Sequence, residues 1–143
     1  MPDVHKTRVI EFIDRVLNGG DIEASGEYFA PEMVEEVPFP GQGPGLNGLK
    51  DTLTRIRAAF PDSKWTVEEQ IAEGDKVLTR FTWSGTHRAE FLGIPATHRS
   101  MSVWGTVIDR FAGDKIASTR LLMDTLSLMQ QLGVIPAPQA SDS

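Results

Sequence analysis

Between Trp65 and Met123 the chain reads as two long β-hairpins, and what precedes them reads as helix and loop. Trp65-Thr66-Val67-Glu68-Glu69-Gln70-Ile71 and the run from Lys76 to Thr86 are rich in β-branched and aromatic residues, and Glu73-Gly74-Asp75 separates them with a turn signal. Met101 to Phe111 and Lys115 to Met123 repeat the arrangement around Ala112-Gly113-Asp114. Four consecutive long strands must bury one face against something, and the helices supply it.

Apolar residues at Val9, Ile10, Phe12, Ile13, Val16 and Leu17 predict an amphipathic helix from Thr7 to Leu17, stopped by Asn18-Gly19-Gly20. A second short helical piece spans Ile22 to Phe29 and ends at Ala30-Pro31. Met33 to Val37 is too short to assign. Pro38-Phe39-Pro40-Gly41-Gln42-Gly43-Pro44-Gly45 reads as an irregular loop, a linker or a pocket rim, and a functional or packing loop within one domain fits its short flanking elements better. Leu49, Leu53, Ile56 and Phe60 then repeat at helical spacing from Leu46 to Phe60, and Pro61-Asp62 ends that helix. Helices followed by antiparallel strands make an α+β fold, a cone-shaped barrel of strongly curved antiparallel sheet wrapped around N-terminal helices with an internal pocket. Phe91-Leu92-Gly93-Ile94-Pro95 is an apolar loop expected to fold onto the barrel mouth.

The expected organisation is one domain over residues 1–135, with a disordered tail at 136–143. A net charge of −6 argues against nucleic acid, whose phosphates need clustered cations. The absence of cysteine removes disulfides, thiolate nucleophiles and thiolate metal sites. The three histidines share no ligand-like spacing, so no metal site is expected. No apolar run approaches the roughly 18 residues of a membrane span, and Met1-Pro2-Asp3-Val4-His5-Lys6 lacks the order of a secretory signal, so a cytoplasmic location is expected. Neither a phosphate-binding glycine loop nor a Gly-x-Ser-x-Gly elbow is present.

Leu121-Leu122-Met123-Asp124-Thr125-Leu126 delivers one carboxylate at the end of an apolar strand. Two readings apply. Asp124 can cap the following helix, or it can sit in the apolar cone, where its pKa would rise as a proton shuttle near neutral pH requires.

Gly48-Leu49-Lys50, Ala59-Phe60-Pro61-Asp62, Glu73-Gly74-Asp75-Lys76-Val77, Gly85-Thr86-His87, Phe91 to Thr97, Trp104-Gly105, Met123-Asp124-Thr125-Leu126 and Met129-Gln130-Gln131-Leu132-Gly133 resemble the SnoaL-like polyketide cyclases. That family belongs to the nuclear-transport-factor-like α+β cone superfamily, with ketosteroid isomerase, scytalone dehydratase and limonene epoxide hydrolase. The resemblance implies an enzyme without cofactor that acts on a small hydrophobic, carbonyl-bearing, polyketide-like substrate, by aldol-type cyclisation, with Asp124 as general acid/base. The related reactions are isomerisation, dehydration and epoxide opening. A non-catalytic binder of a lipophilic ligand is the alternative from another class. The resemblance also implies a homodimer or higher homo-oligomer formed through the outer sheet face.

Glu36, from the Glu35-Glu36 pair, is the expected second carboxylate, and His87 the expected titrating imidazole. Trp83 and Trp104 offer flat surfaces to a polycyclic substrate, and Phe39 lies on the pocket loop. Trp104, Thr106 and Arg120 are the expected oxyanion-binding groups. Arg120 shares strand parity with Ser118 and Asp124; on the outer face it would instead pair with Asp109 or Glu69.

Overall fold

The computed structural model describes residues 2–136, so residues 137–143 of the expected tail lie outside the described residues. Helix α1 (Pro2–Phe12) continues into a π-helical turn at Ile13–Asn18. Val9, Phe12, Ile13 and Val16 repeat at i, i+3, i+4 and i+7, and all four are buried. Asn18 ends this helix and also ties it to the sheet. Its side-chain oxygen accepts the Trp65 N–H at 2.8 Å and its amide nitrogen donates to the Trp65 carbonyl at 2.9 Å, in the manner of a neighbouring strand. A 3₁₀ turn at Ile22–Glu27 follows.

Residues Phe29–Glu35, which the short apolar pattern leaves unassigned, form strand β1. Helix α2 (Gly45–Ala59) precedes β2 (Lys64–Glu73), β3 (Lys76–Thr86), β4 (Ser100–Ala112) and β5 (Lys115–Met123), and a short helix α3 (Thr125–Gln131) closes the described fold. The two hairpins form as expected, turning at Gly74 (φ +61°) and Gly113 (φ +68°), a conformation that glycine adopts at no steric cost.

The sheet has five strands in the order β1-β5-β4-β3-β2. Four are antiparallel neighbours, as expected. β1 joins parallel to β5, so the sheet is mixed. Pro31 is tolerated in β1 because that strand lies at the sheet edge, where one side needs no ladder N–H.

Alternation along the strands sets two faces. Met101, Val103, Gly105, Val107, Asp109 and Phe111 of β4 point inward with Val77, Thr79, Phe81 and Trp83 of β3. Ser102, Trp104, Thr106, Ile108 and Arg110 point outward. The inner face closes over α1 and α2, which contribute Val9, Phe12, Leu53 and Ile56 to one continuous core. No helix among the described residues is long and apolar enough to cross a membrane.

Candidate active site

Three adjacent strands place a row of polar side chains on the inner wall. Glu35 of β1 is in register with Thr119 of β5, and Thr119 with Asp109 of β4. All three line a cavity of about 100 Å³ whose remaining walls are largely apolar, including Phe12, Phe29, Leu53, Phe81 and Val107.

Asp109 is 4% exposed, and among the described residues no hydrogen bond or ion pair holds its carboxyl. Burial pushes that carboxyl up to about 8, because the charged form loses its hydration, and the negative charge of Glu35 adds to the rise. At neutral pH Asp109 is therefore a protonated acid with its proton uncommitted. Glu35 is bound differently. Its Oε1 accepts the Thr119 hydroxyl at 2.7 Å, and its Oε2 accepts the backbone N–H groups of Leu121 at 3.1 Å and Val37 at 3.0 Å. Two carboxyl groups on one wall thus have opposed environments, the arrangement that separates an acid from an acceptor.

The Pro- and Gly-rich loop closes the cavity. The Phe39 N–H donates to Gln42 Oε1 at 3.1 Å and the Gln42 N–H to the Phe39 carbonyl at 2.9 Å, so the loop is self-bracing, and both side chains line the cavity. Phe39 is thus placed where the sequence expects a pocket residue. Gly48 lets the loop sit against α2: a Cβ there would lie 1.8 Å from the Gly43 carbonyl oxygen, a clash no side-chain motion can relieve.

The other expected site residues lie outside this cavity. Asp124 takes the capping role. It precedes α3, and its Oδ1 accepts the Ser127 N–H at 3.1 Å. Arg120 and Glu36 pair with each other at 2.6 Å on the exposed side of the sheet, because Arg120 has the parity opposite to Thr119 and Leu121. Trp104 is 52% exposed and Thr106 shares its outward face.

Trp83 is fully buried, stacked on Trp65 at 5.1 Å and donating its indole N–H to Ser63 Oγ. It packs the core and does not line the cavity. His87 is also fully buried, with its ring over Phe60 at 5.2 Å and its Nδ1 facing the Thr97 N–H and hydroxyl. Burial lowers its pKa, so it pins the 88–99 loop as a neutral imidazole.

The two carboxyl groups that do meet in the cavity are the ones expected elsewhere or not chosen. Asp109, expected as an outer-face partner of Arg120, shares parity with Val107 and Phe111, so its neighbours at i−2 and i+2 were the signal that it points inward. Glu35 shares parity with buried Met33, but that signal exists only once β1 is recognised as a strand.

The SnoaL-like polyketide cyclase family model matches residues 7–132. The chain belongs to the SnoaL-like polyketide cyclase family. Among solved structures, TsrD from Streptomyces laurentii is 28% identical, with a TM-score of 0.86 over 94% of this chain and 98% of that one. IdmH from Streptomyces antibioticus, described as a proposed polyketide cyclase, is 29% identical with a TM-score of 0.77, covering 90% of this chain and 97% of that one. A SnoaL-like polyketide cyclase from Agrobacterium tumefaciens, 21% identical with a TM-score of 0.74 over 88% of this chain and 95% of that one, shares the fold. None of the curated protein sequences compared matches the chain. The SnoaL-like assignment fits the α+β cone and supports a polyketide cyclase-type role.

Proposed function

We propose that the protein catalyses an aldol-type ring closure of a small hydrophobic, polyketide-like carbonyl compound, with Asp109 as general acid/base. The observation that carries this reading is a buried Asp109 carboxyl that has no hydrogen-bond or ion-pair partner among the described residues and faces a largely apolar cavity. In water a carboxylic acid is ionised at neutral pH and has no proton to give. In this cavity it keeps one, and a positioned acid of matched pKa contributes on the order of 10² to 10⁴ in rate.

The proton inventory is simple. The enol carbon of the substrate bonds to the ketone carbon, the C=O π pair moves to oxygen, and that oxygen takes the Asp109 proton. The enol hydroxyl becomes a ketone and gives its proton to the now ionised Asp109, either directly or by way of Glu35, which then passes it on to Asp109, so both carboxyl groups end as they began. Thr119, whose hydroxyl bonds Glu35 and which lies opposite Asp109, is placed to relay a proton between the two. In the same proposal the outer sheet face, with exposed Ile71, Trp104 and Leu122, is the surface of a homodimer, which sedimentation equilibrium tests.

The reaction is tested with a linear poly-β-ketone that carries a free carboxylate at its far end. Wild-type protein is expected to accelerate ring closure, and Asp109→Asn to lower the rate at least about 10²-fold with the fold intact. Undiminished closure by that variant removes Asp109 from the chemistry. No closure by wild-type protein removes the cyclase reading.

A further inference from the structure

The cavity at Asp109 is smaller than the roughly 300–1,000 Å³ that a drug-sized ligand occupies, so it holds one carbonyl-bearing end of a substrate and not the whole. The remainder must lie in adjoining space. A cleft of about 600 Å³ adjoins it, and Phe39, Thr52 and Ile56 line both. Its outer walls are Phe91 and Leu92 of the 88–99 loop and the exposed side of α2. Phe39, which lines both spaces, meets the Phe91 ring of the cleft edge to face at 6.2 Å.

This cleft holds a cation with no charge partner. Among the described residues no carboxylate lies within ion-pair distance of Arg55; the same holds for Arg57, Arg88, Arg99 and Arg110, but of these five Arg55 alone lines the cleft. Its one side-chain hydrogen bond among the described residues goes to the Thr52 hydroxyl at 3.4 Å, on the wall shared with the inner cavity. Glu90, on the same cleft, is turned to the Gly93 N–H at 2.6 Å and does not neutralise it. The loop passes Arg55 at Gly41, where a Cβ would come within 3.6 Å of Nη1, and Arg55 is exposed on the cleft side of α2.

We propose that this cleft is a second substrate subsite, in which Arg55 binds the carboxylate at the far end of an elongated apolar molecule whose reacting carbonyl lies against Asp109. The inference rests on the cyclase reading for the role of Asp109, but binding in the cleft is measured without turnover. A planar guanidinium suits a carboxylate, to which it donates two parallel hydrogen bonds. The substrate class is thus a polyketide-like keto acid with its free carboxylate distal to the ring-closing carbonyl.

The probes are dansylaminohexanoic acid and its methyl ester, which share a fluorophore and chain and differ in charge at one end. Wild-type protein is expected to bind the acid about tenfold tighter than the ester, as one charge-assisted pair predicts. Arg55→Gln should abolish that preference and leave ester affinity unchanged. Ala58→Trp, at an exposed position on the cleft wall, should weaken both probes. The acid-to-ester preference should persist in Asp109→Asn, so failure of the catalytic reading and failure of the subsite are separable. An unchanged acid-to-ester ratio in Arg55→Gln, unchanged affinities in Ala58→Trp, or no binding of either probe to wild-type protein would overturn the proposal.

Discussion

Glu35 and Asp109 face the cavity from opposite sides of Thr119, one strand away in each direction, and only Glu35 is hydrogen-bonded to it. The asymmetry divides the two carboxyl groups chemically. Glu35 accepts three hydrogen bonds, while Asp109 has apolar surroundings and a negative neighbour.

The raised pKa of Asp109 has a definite consequence for stability. Between about pH 4 and pH 8 the folded state holds a proton on Asp109 that the unfolded chain has released, so the native state binds more protons and stability falls as pH rises. The full contribution is present below the unfolded pKa and is lost through the folded value near 8. Denaturant unfolding of wild type and Asp109→Asn across this range should show the wild type losing roughly 1.4 kcal/mol per pH unit relative to the variant. The comparison cancels Asp62, whose carboxyl is held below its ordinary value by the Thr86 N–H and hydroxyl. Parallel pH profiles would show Asp109 ionised in the folded protein.

Removing the neighbouring charge should act on the same group. Glu35→Gln is expected to lower the Asp109 pKa, since burial then acts without the added repulsion. It should also cost about 1–3 kcal/mol in stability, because the new amide either presents donors to the Val37 and Leu121 N–H groups or forces Thr119 to reorient. Carboxyl-carbon NMR of Asp109 in the variant measures the first effect and urea unfolding the second.

Asp124 separates the capping role from the catalytic one. Asparagine caps a helix as well as aspartate does, so Asp124→Asn should change stability by less than about 0.5 kcal/mol and leave ring closure intact. Asp124→Ala should cost about 1 kcal/mol through loss of the acceptor for the Ser127 N–H. A folded Asp124→Asn that no longer closes rings would return the chemistry to the end of β5.

The elements were legible where a long period was available. The hairpins around Gly74 and Gly113, the Leu49–Phe60 helix and the α+β class follow from alternation, helical spacing and turn residues. β1 was not legible because its seven residues carry a proline and one deeply buried inward side chain beyond Phe29, and because its partner β5 lies some eighty residues away in sequence, at Glu35 against Thr119. The site suffered from the same gap. Without β1 there is no parity to choose Glu35 over Glu36, and the polar row across β1, β5 and β4 cannot be drawn. Asp124 drew attention because apolar residues surround it in sequence. In space, Leu122 and Leu126 on either side of it are 68% and 62% exposed, so the apolar setting was never there. Asp109, flanked in sequence by Ile108 and Arg110, has its apolar setting two residues away in each direction.

Titration of the Asp109 carboxyl carbon by NMR, assigned by its loss in Asp109→Asn, tests most directly whether this buried group keeps its proton at neutral pH. The expected midpoint is about 8. A midpoint near the ordinary aspartate value of about 3.9 would mean that the carboxyl is ionised at neutral pH, with no proton to give.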